Sequence, residues 1–377
     1  MPHEAEILKL RHCLHAAPDL SGAEGGTARM LRVALQDTNP DLIVEGLGGH
    51  GLALVYDSGH SGPSVMFRAE LDALPIVEQG SVPYASTRSG VAHLCGHDGH
   101  MAVLAGLARH LARKRPARGR VILLFQPAEE TGAGARAVLA DPRFEQIRPD
   151  WAFALHNMPG LALGRIAVAP GPASCASVGL HLRWQGREAH AASPETGLSP
   201  APALAGLLSA LVPFTTPQPL SAAFRLATLC HLSMGARAFG VAPAQADALV
   251  TLRAVTDEAL SRFEAEIVGA IQRQCGALAL QISRHDHFNA TINDADAANI
   301  VERAAAHIGL EHGDFALPMR ASEDFGAFST TCRTALFFLG AGESHPALHD
   351  PAYDFPDALL APGCAIFARI LDEISGP

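Results

Sequence analysis

Three strand-length apolar runs, "VMFRAEL" (65–71), "RVILLFQ" (120–126) and "WAFALH" (151–156), each lead directly into groups that a core does not hold unpaired. Between the first two, the spacing of apolar residues predicts a helix from Asp98 to about Ala112. Strand, helix, strand in this order predicts a mainly parallel sheet with helices on its faces, an α/β fold. In such sheets functional groups gather at the carboxyl ends of the strands.

The pattern changes near Ser177. "SVGLHLRWQG" alternates like a half-exposed strand and is followed by a helix at 201–212, strands at about 224–232 and 247–254, a helix at about 257–274 and a strand at 277–283. That β-α-β-β-α-β order predicts an inserted α+β, ferredoxin-like domain. The α/β pattern then resumes, with a helix at 296–308, a strand at 335–340 and a helix at 357–373. The expected organisation is a discontinuous first domain, 1–176 and 286–377, interrupted by a second at 177–285.

Composition excludes several function classes. The net charge of −10 and the lack of a basic run argue against nucleic acid as a partner. No apolar stretch approaches the roughly 20 residues of a membrane span. Seven cysteines, an odd and scattered number, do not form a disulfide framework, and the N-terminus lacks the apolar core of a signal peptide, so a cytoplasmic location is expected. The only lysines, Lys9 and Lys114, follow no glycine-rich loop, and no G-x-S-x-G occurs. Gly46, Gly48 and Gly51 do match G-x-G-x-x-G, but a strand rather than a helix follows, so "GLGGHG" reads as a hairpin turn.

What remains is a crowd of ligand-type side chains. "HLCGHDGHM" (93–101) holds a cysteine, an aspartate and three histidines. Glu70 and Asp72 end the first strand, Glu129 and Glu130 lie just past the second, His156 ends the third, and His349 follows the strand at 335–340. Buried charge at successive strand ends is costly unless paired or metal-bound. Cys95, His97, Glu130, His156 and His349 together offer thiolate, imidazole and carboxylate, a set that zinc accepts and that suits manganese, cobalt or nickel in some geometries. Five ligands with a water added suit two metals better than one. Asp98 reads as a cap for the helix that follows; His93 and His100 are assigned no ligand role, and His100, near the helix start, reads as supporting the site or packing.

Eight segments in order, "LHAAPDLSGAE", "FRAELDALPI", "HLCGHDGHMAVLAG", "LLFQPAEETGAGA", "ALHNMPGLALG", "GREAHAASPETG", "SEDFGAF" and "LHDPAYDFPD", resemble the M20 metallopeptidase and amidohydrolase family, in its aminoacylase, hippurate hydrolase and indoleacetyl-amino-acid hydrolase branch. The resemblance implies two divalent metal ions held by Cys95, His97, Glu130, His156 and His349, with the cysteine bridging as thiolate. It implies Glu129 as the general base that activates a metal-bound water, and Asp72 as the carboxylate that orients a metal-binding histidine. It also implies that His190 reaches the neighbouring subunit's site from a lid domain, hence a homodimer built through that lid, and that Arg253 binds the carboxylate of the substrate.

The implied activity is hydrolysis of N-acyl amino acids. A dipeptidase or carboxypeptidase with the same chemistry is the nearer alternative, and a non-catalytic metal- or ligand-binding member the more distant one. Two departures bear on specificity: Glu70 stands where many relatives carry aspartate, and Gly240 where they carry a substrate-binding asparagine.

Overall fold

The strand Ser64–Glu70 is buried at all seven positions, and Arg120–Gln126 at all but its first. Strands covered on both faces read as continuous apolar runs, which is why the sequence shows no alternation there. The computed structural model describes residues 4–216 and 219–376. These fall into two units: Met1–Ala173 with Thr291–Leu317 and Glu323–Pro377, and Ser174–Ala290 with Pro318–Ser322.

The first unit is built on a seven-stranded sheet. Its order is Leu42–Leu47, Gly51–Asp57, Arg120–Gln126, Ser64–Glu70, Trp151–Pro159, Arg333–Gly342 and Ile166–Ala167. The four strands from Arg120–Gln126 to Arg333–Gly342 run parallel, and the flanking pairs are antiparallel. Helices His97–Arg113 and Leu360–Ser375 pack Leu104, Leu107, Ile366, Phe367 and Ile370 into the same core as Phe67, Phe153 and Phe337. Full burial of one such side chain contributes roughly 1.5–3 kcal/mol. "GLGGHG" is the tight connection of an antiparallel hairpin, with Gly46, Gly48 and Gly49 all at positive φ. A Cβ at Gly48 would lie 2.6 Å from the backbone of Val138, so glycine is required there for close approach as well as for the turn.

Register places the chemistry. Glu70 pairs across the parallel ladder with Gln126, so the turns that follow the two strands begin side by side. His156 lies in register with Phe338 on the neighbouring strand. Helix His97–Arg113 begins one residue earlier than the spacing suggests. Its N-cap is Gly96, at φ 92, and not Asp98. Asp98 lies within the first turn and faces inward, where Arg11 and His15 bind it.

The second unit has a four-stranded antiparallel sheet in the order Arg225–Met234, Gln245–Ala254, Ala176–Gln185 and Ala279–Phe288. With helices Ala201–Leu211 and Asp257–Cys275 this is the ferredoxin-like arrangement. Val178, Leu180, Leu182 and Trp184 point to the helices and alternate with more exposed residues, as expected for a sheet covered on one side. Thr256 caps the longer helix by accepting a hydrogen bond from the amide of Ala259.

Candidate active site

Seven of the nine residues singled out from the sequence come together in the first unit. Donor atoms of Cys95, His97 and His156 lie within 4.8 Å of one another, as do those of Cys95, Glu130 and His349, and those of His97, Glu129 and Glu130. His97 Nε2 is 3.8 Å from Glu130 and 3.9 Å from Glu129. His349 Nε2 is 3.6 Å from the other Glu130 oxygen, and Cys95 Sγ is 3.5 Å from His156 Nε2. Glu129 and Glu130 occupy an irregular turn ahead of the short helix Gly134–Ala140 rather than that helix's first turn.

The two buried histidines of these donor sets, His97 and His156, are oriented in the same way. His97 Nδ1 donates to the carbonyl of Asp72 at 2.8 Å, and His156 Nδ1 donates to the carbonyl of Asn157 at 2.6 Å. Each ring therefore turns its Nε2 toward the cluster, the orientation a metal-binding histidine requires. Asp72 is also fixed: its Oδ2 accepts from Ser21 Oγ at 2.7 Å and from the amide of Glu130 at 2.9 Å. Among the described residues His97 Nε2, Asp72 Oδ1 and Glu130 Oε1 are buried without a hydrogen-bond partner. His97 Nε2 and Glu130 Oε1, unpartnered and 3.8 Å apart at the end of the sheet, fit a shared cation.

The electrostatics lead to the same fit. Burial, then the charges of Glu130 and Glu129, push the Cys95 thiol well above its ordinary range. Burial, then Glu323 and Glu130, push Glu129 up as well, and burial raises Glu130 to about 7. Burial alone would lower His97, but Glu70, Glu130 and Asp72 outweigh it and raise the ring to about 9. Burial and then His100 lower His156 to about 3, leaving it neutral and ready to donate a lone pair. Without another cation the cluster retains protons at the positions where divalent ions would replace them. The donor set accommodates two such ions.

A second network lies beneath the cluster, and sequence reasoning had not assigned it. Arg68, fully buried, is forked between Glu70, Glu323 and Asp324 and donates Nε to Gln126 at 2.9 Å. His100 Nδ1 is 2.8 Å from Glu70, and His100 Nε2 is 2.6 Å from Asn157 Oδ1. Glu70 thus anchors Arg68 and His100. Burial would raise its pKa, but Arg68 and His100 hold it well below the usual carboxylate range. The signal for this network was an arginine inside an otherwise apolar strand.

The turn 95–97 is anchored from outside by Asp98. Arg11 Nε donates to Asp98 Oδ2 at 2.8 Å, and His15 Nδ1 sits 2.9 Å from the same oxygen. Arg11 also binds Asp354 in the loop that carries His349. Burial opposes the charge on His15, yet Asp98 raises its pKa to about 9. A raised histidine stabilises the fold fully below its unfolded pKa, near 6.5, and this stabilisation is lost as pH rises through about 9. Denaturant unfolding at pH 6.5 and 9.5 is expected to show wild type losing on the order of 3 kcal/mol more than His15→Asn across that interval.

His190 and Arg253 lie in the second unit. His190 is exposed, pairs with Val241 in a two-strand ribbon, and its Nδ1 accepts from the amide of Ala192 at 3.0 Å. Gly240 adjoins that ribbon, its carbonyl accepting from the amide of Ala191 at 3.0 Å. Arg253 donates to Ser322 Oγ at 2.8 Å and to the carbonyl of Arg320 at 3.3 Å. Among the described residues no carboxylate is ion-paired with it, and burial lowers its pKa.

The chain is similar to a hippurate hydrolase from Campylobacter jejuni, 30% identical over 371 residues that cover 97% of this chain and 96% of the relative. It is similar to an N-acetyl-L-cysteine deacetylase from Bacillus subtilis, 30% identical over 363 residues that cover 95% and 85%. Among solved structures, a dinuclear metal-binding peptidase of family M20 from Bacillus subtilis aligns with a TM-score of 0.81 at 25% identity, over 98% of each chain. The sequence pattern of peptidase family M20/M25/M40 matches residues 66–373, and the chain belongs to that family.

Proposed function

We propose that this chain is a dimetal amidohydrolase that cleaves N-acyl amino acids into a carboxylic acid and an amino acid. The observation that carries the reading is the buried Glu129 carboxylate lying with His97 and Glu130 beside two donor sets that share Cys95, namely Cys95, His97 and His156, and Cys95, Glu130 and His349. The hippurate hydrolase and the N-acetyl-L-cysteine deacetylase among its relatives support the substrate class.

Cys95, His97, Glu130, His156 and His349 would hold the two ions, and Asp72 would orient His97. When bound, the ions supply Lewis acidity and make a water a nucleophile at neutral pH. Glu129 takes the proton of the attacking water and returns it to the leaving nitrogen. Arg253, desolvated and without a carboxylate partner in its own unit, is the group we assign to the substrate carboxylate. His190, contributed across a dimer, would donate to the oxyanion.

The finer assignments belong to the same proposal. The catalytic part is 1–176 with 286–377, and 177–285 is the lid and dimerisation part. Exposed Leu232, Met234, Phe239 and Val241 on the second unit support a homodimer formed there. Zinc is the metal the mixed sulfur, nitrogen and oxygen donors favour, with manganese, cobalt or nickel as substitutes. Seven unpaired cysteines support a cytoplasmic location.

The test is a panel of hippurate, N-acetyl, N-benzoyl and N-indoleacetyl amino acids with dipeptides beside them, using protein loaded in turn with zinc, manganese and cobalt. Turnover is expected for acyl amino acids, and Arg253→Ala is expected to raise KM by about 30-fold, the loss of a charge-assisted contact of roughly 2 kcal/mol. Preference for dipeptides would reassign the substrate. A fully inert panel with two ions bound per chain would remove the enzymatic reading.

A further inference from the structure

Residues ahead of 66 lie outside the matched family region, yet they reach the carboxylate turn from behind. Ala128 immediately precedes Glu129 and Glu130 and sits at φ 50, a left-handed conformation that a residue with a Cβ adopts reluctantly. The direction in which both glutamates leave the turn depends on that angle. The amide of Ala128 donates to Glu24 Oε1 at 2.8 Å, across 104 residues of sequence. The same oxygen accepts the amide of Gly22 at 2.7 Å.

Glu24 is completely buried, and among the described residues its Oε2 has no hydrogen-bond partner. It precedes the helix Gly25–Ala34 but makes no side-chain capping bond to it, so helix capping does not explain a buried carboxylate there. The neighbouring residues of the same segment act on the other side of the turn. Ser21 Oγ binds Asp72 Oδ2, which in turn accepts the amide of Glu130, and Leu20 bridges to Ala73 in parallel. Residues 20–24 therefore grip the turn at Ala128 and, through Asp72, at Glu130.

We propose that Glu24 is a positioning residue: its hydrogen bond to the Ala128 amide holds the left-handed conformation that aims Glu130 at the metal ions and Glu129 at the reacting water. This rests on the roles assigned to Glu129 and Glu130 under the proposed function. What matters is an acceptor with the reach of glutamate. Glu24→Gln keeps acceptor and reach, Glu24→Asp keeps the charge but is one methylene short, and Glu24→Ala loses both. Ala128→Gly removes the steric objection to φ 50, so the turn holds its shape with less help.

The experiment measures manganese affinity by chelator competition for all four variants and for Glu24→Ala combined with Ala128→Gly, together with kcat and KM on whichever panel substrate is turned over. Glu24→Ala and Glu24→Asp are expected to bind manganese about tenfold more weakly and to lose kcat by a similar factor with KM nearly unmoved. Glu24→Gln stays within about threefold of wild type, and Ala128→Gly restores about half of the loss on a logarithmic scale. Wild-type affinity in Glu24→Ala, a loss in Glu24→Gln as large as in Glu24→Ala, or no recovery in the double variant would each overturn the proposal. If Glu24→Ala does not fold, the contrast between Gln and Asp decides. An inert substrate panel leaves the affinity measurement intact, so failure of the proposed activity is seen separately.

Discussion

Glu129→Gln is expected to retain both metal ions and to lose about 10³-fold in kcat/KM, the middle of the range that a positioned general base contributes. The substitution keeps the size and hydrogen-bonding outline of the side chain while removing its ability to take a proton. Glu129 is buried beside Glu130 and Glu323, whose charges follow burial in raising its proton affinity. A carboxylate with raised proton affinity is a better base than a free one, and it returns the proton to the leaving nitrogen more slowly only if the affinity is raised too far. With Glu129 as the proposed base, an acid limb is expected in the pH–rate profile as that carboxylate becomes protonated, and the limb should be absent from the residual activity of the variant.

The comparison that gives this meaning is Glu130→Gln. Glu130 lies within reach of His97 through one oxygen and of His349 through the other, the position of a ligand. Its loss is expected to weaken metal binding, whereas loss of Glu129 is not. Metal content by elemental analysis, measured beside turnover, separates the two. If Glu129→Gln arrives without metal, Glu129 is a ligand and the assignment of the base fails.

Sequence alone made the cluster legible because its members sit at the ends of apolar runs, and a strand end is a place the pattern marks. Glu70, the Glu129–Glu130 pair and His156 follow runs whose strands begin and end within a few residues of where the spacing puts them. The inserted unit was legible because its two central strands, Ala176–Gln185 and Gln245–Ala254, alternate, which strands covered on both faces do not. The supporting groups were hidden for a different reason. Arg68 depends on Glu323 and Asp324, more than 250 residues away, and no local pattern reports that pairing. Glu24 acts on a backbone amide, which any residue could supply, so the identity of its partner leaves no trace in composition. Asp98 was misread as a cap because an aspartate beside a helix start is more often one; the buried Arg11 that claims it lies 87 residues earlier.

Arg68→Met is expected to cost most of the stability of the first unit. The guanidinium is the shared partner of three buried carboxylates, Glu70, Glu323 and Asp324, with the Glu129 carboxylate close to the last two. Breaking one buried pair by removing one partner costs about 3–5 kcal/mol, because an uncompensated charge stays in the interior. Here several carboxylates lose the same cation, while a whole domain is typically stable by only about 5–15 kcal/mol. Arg68→Lys should fall between, since an ammonium supplies charge but not the fork that spans three partners. The loss has a sign in pH. In wild type, burial already lifts Asp324 to about 7 against the pull of Arg68. Without Arg68 the carboxylates rise further in the fold than in the unfolded chain, so the folded state binds more protons and stability falls as pH increases. Denaturant titrations followed by circular dichroism should therefore find Arg68→Met least stable near pH 8 and partly recovered near pH 5. A variant as stable as wild type at pH 8 would mean that the carboxylates are compensated by the bound metal ions, and removing those ions with a chelator should then unfold it.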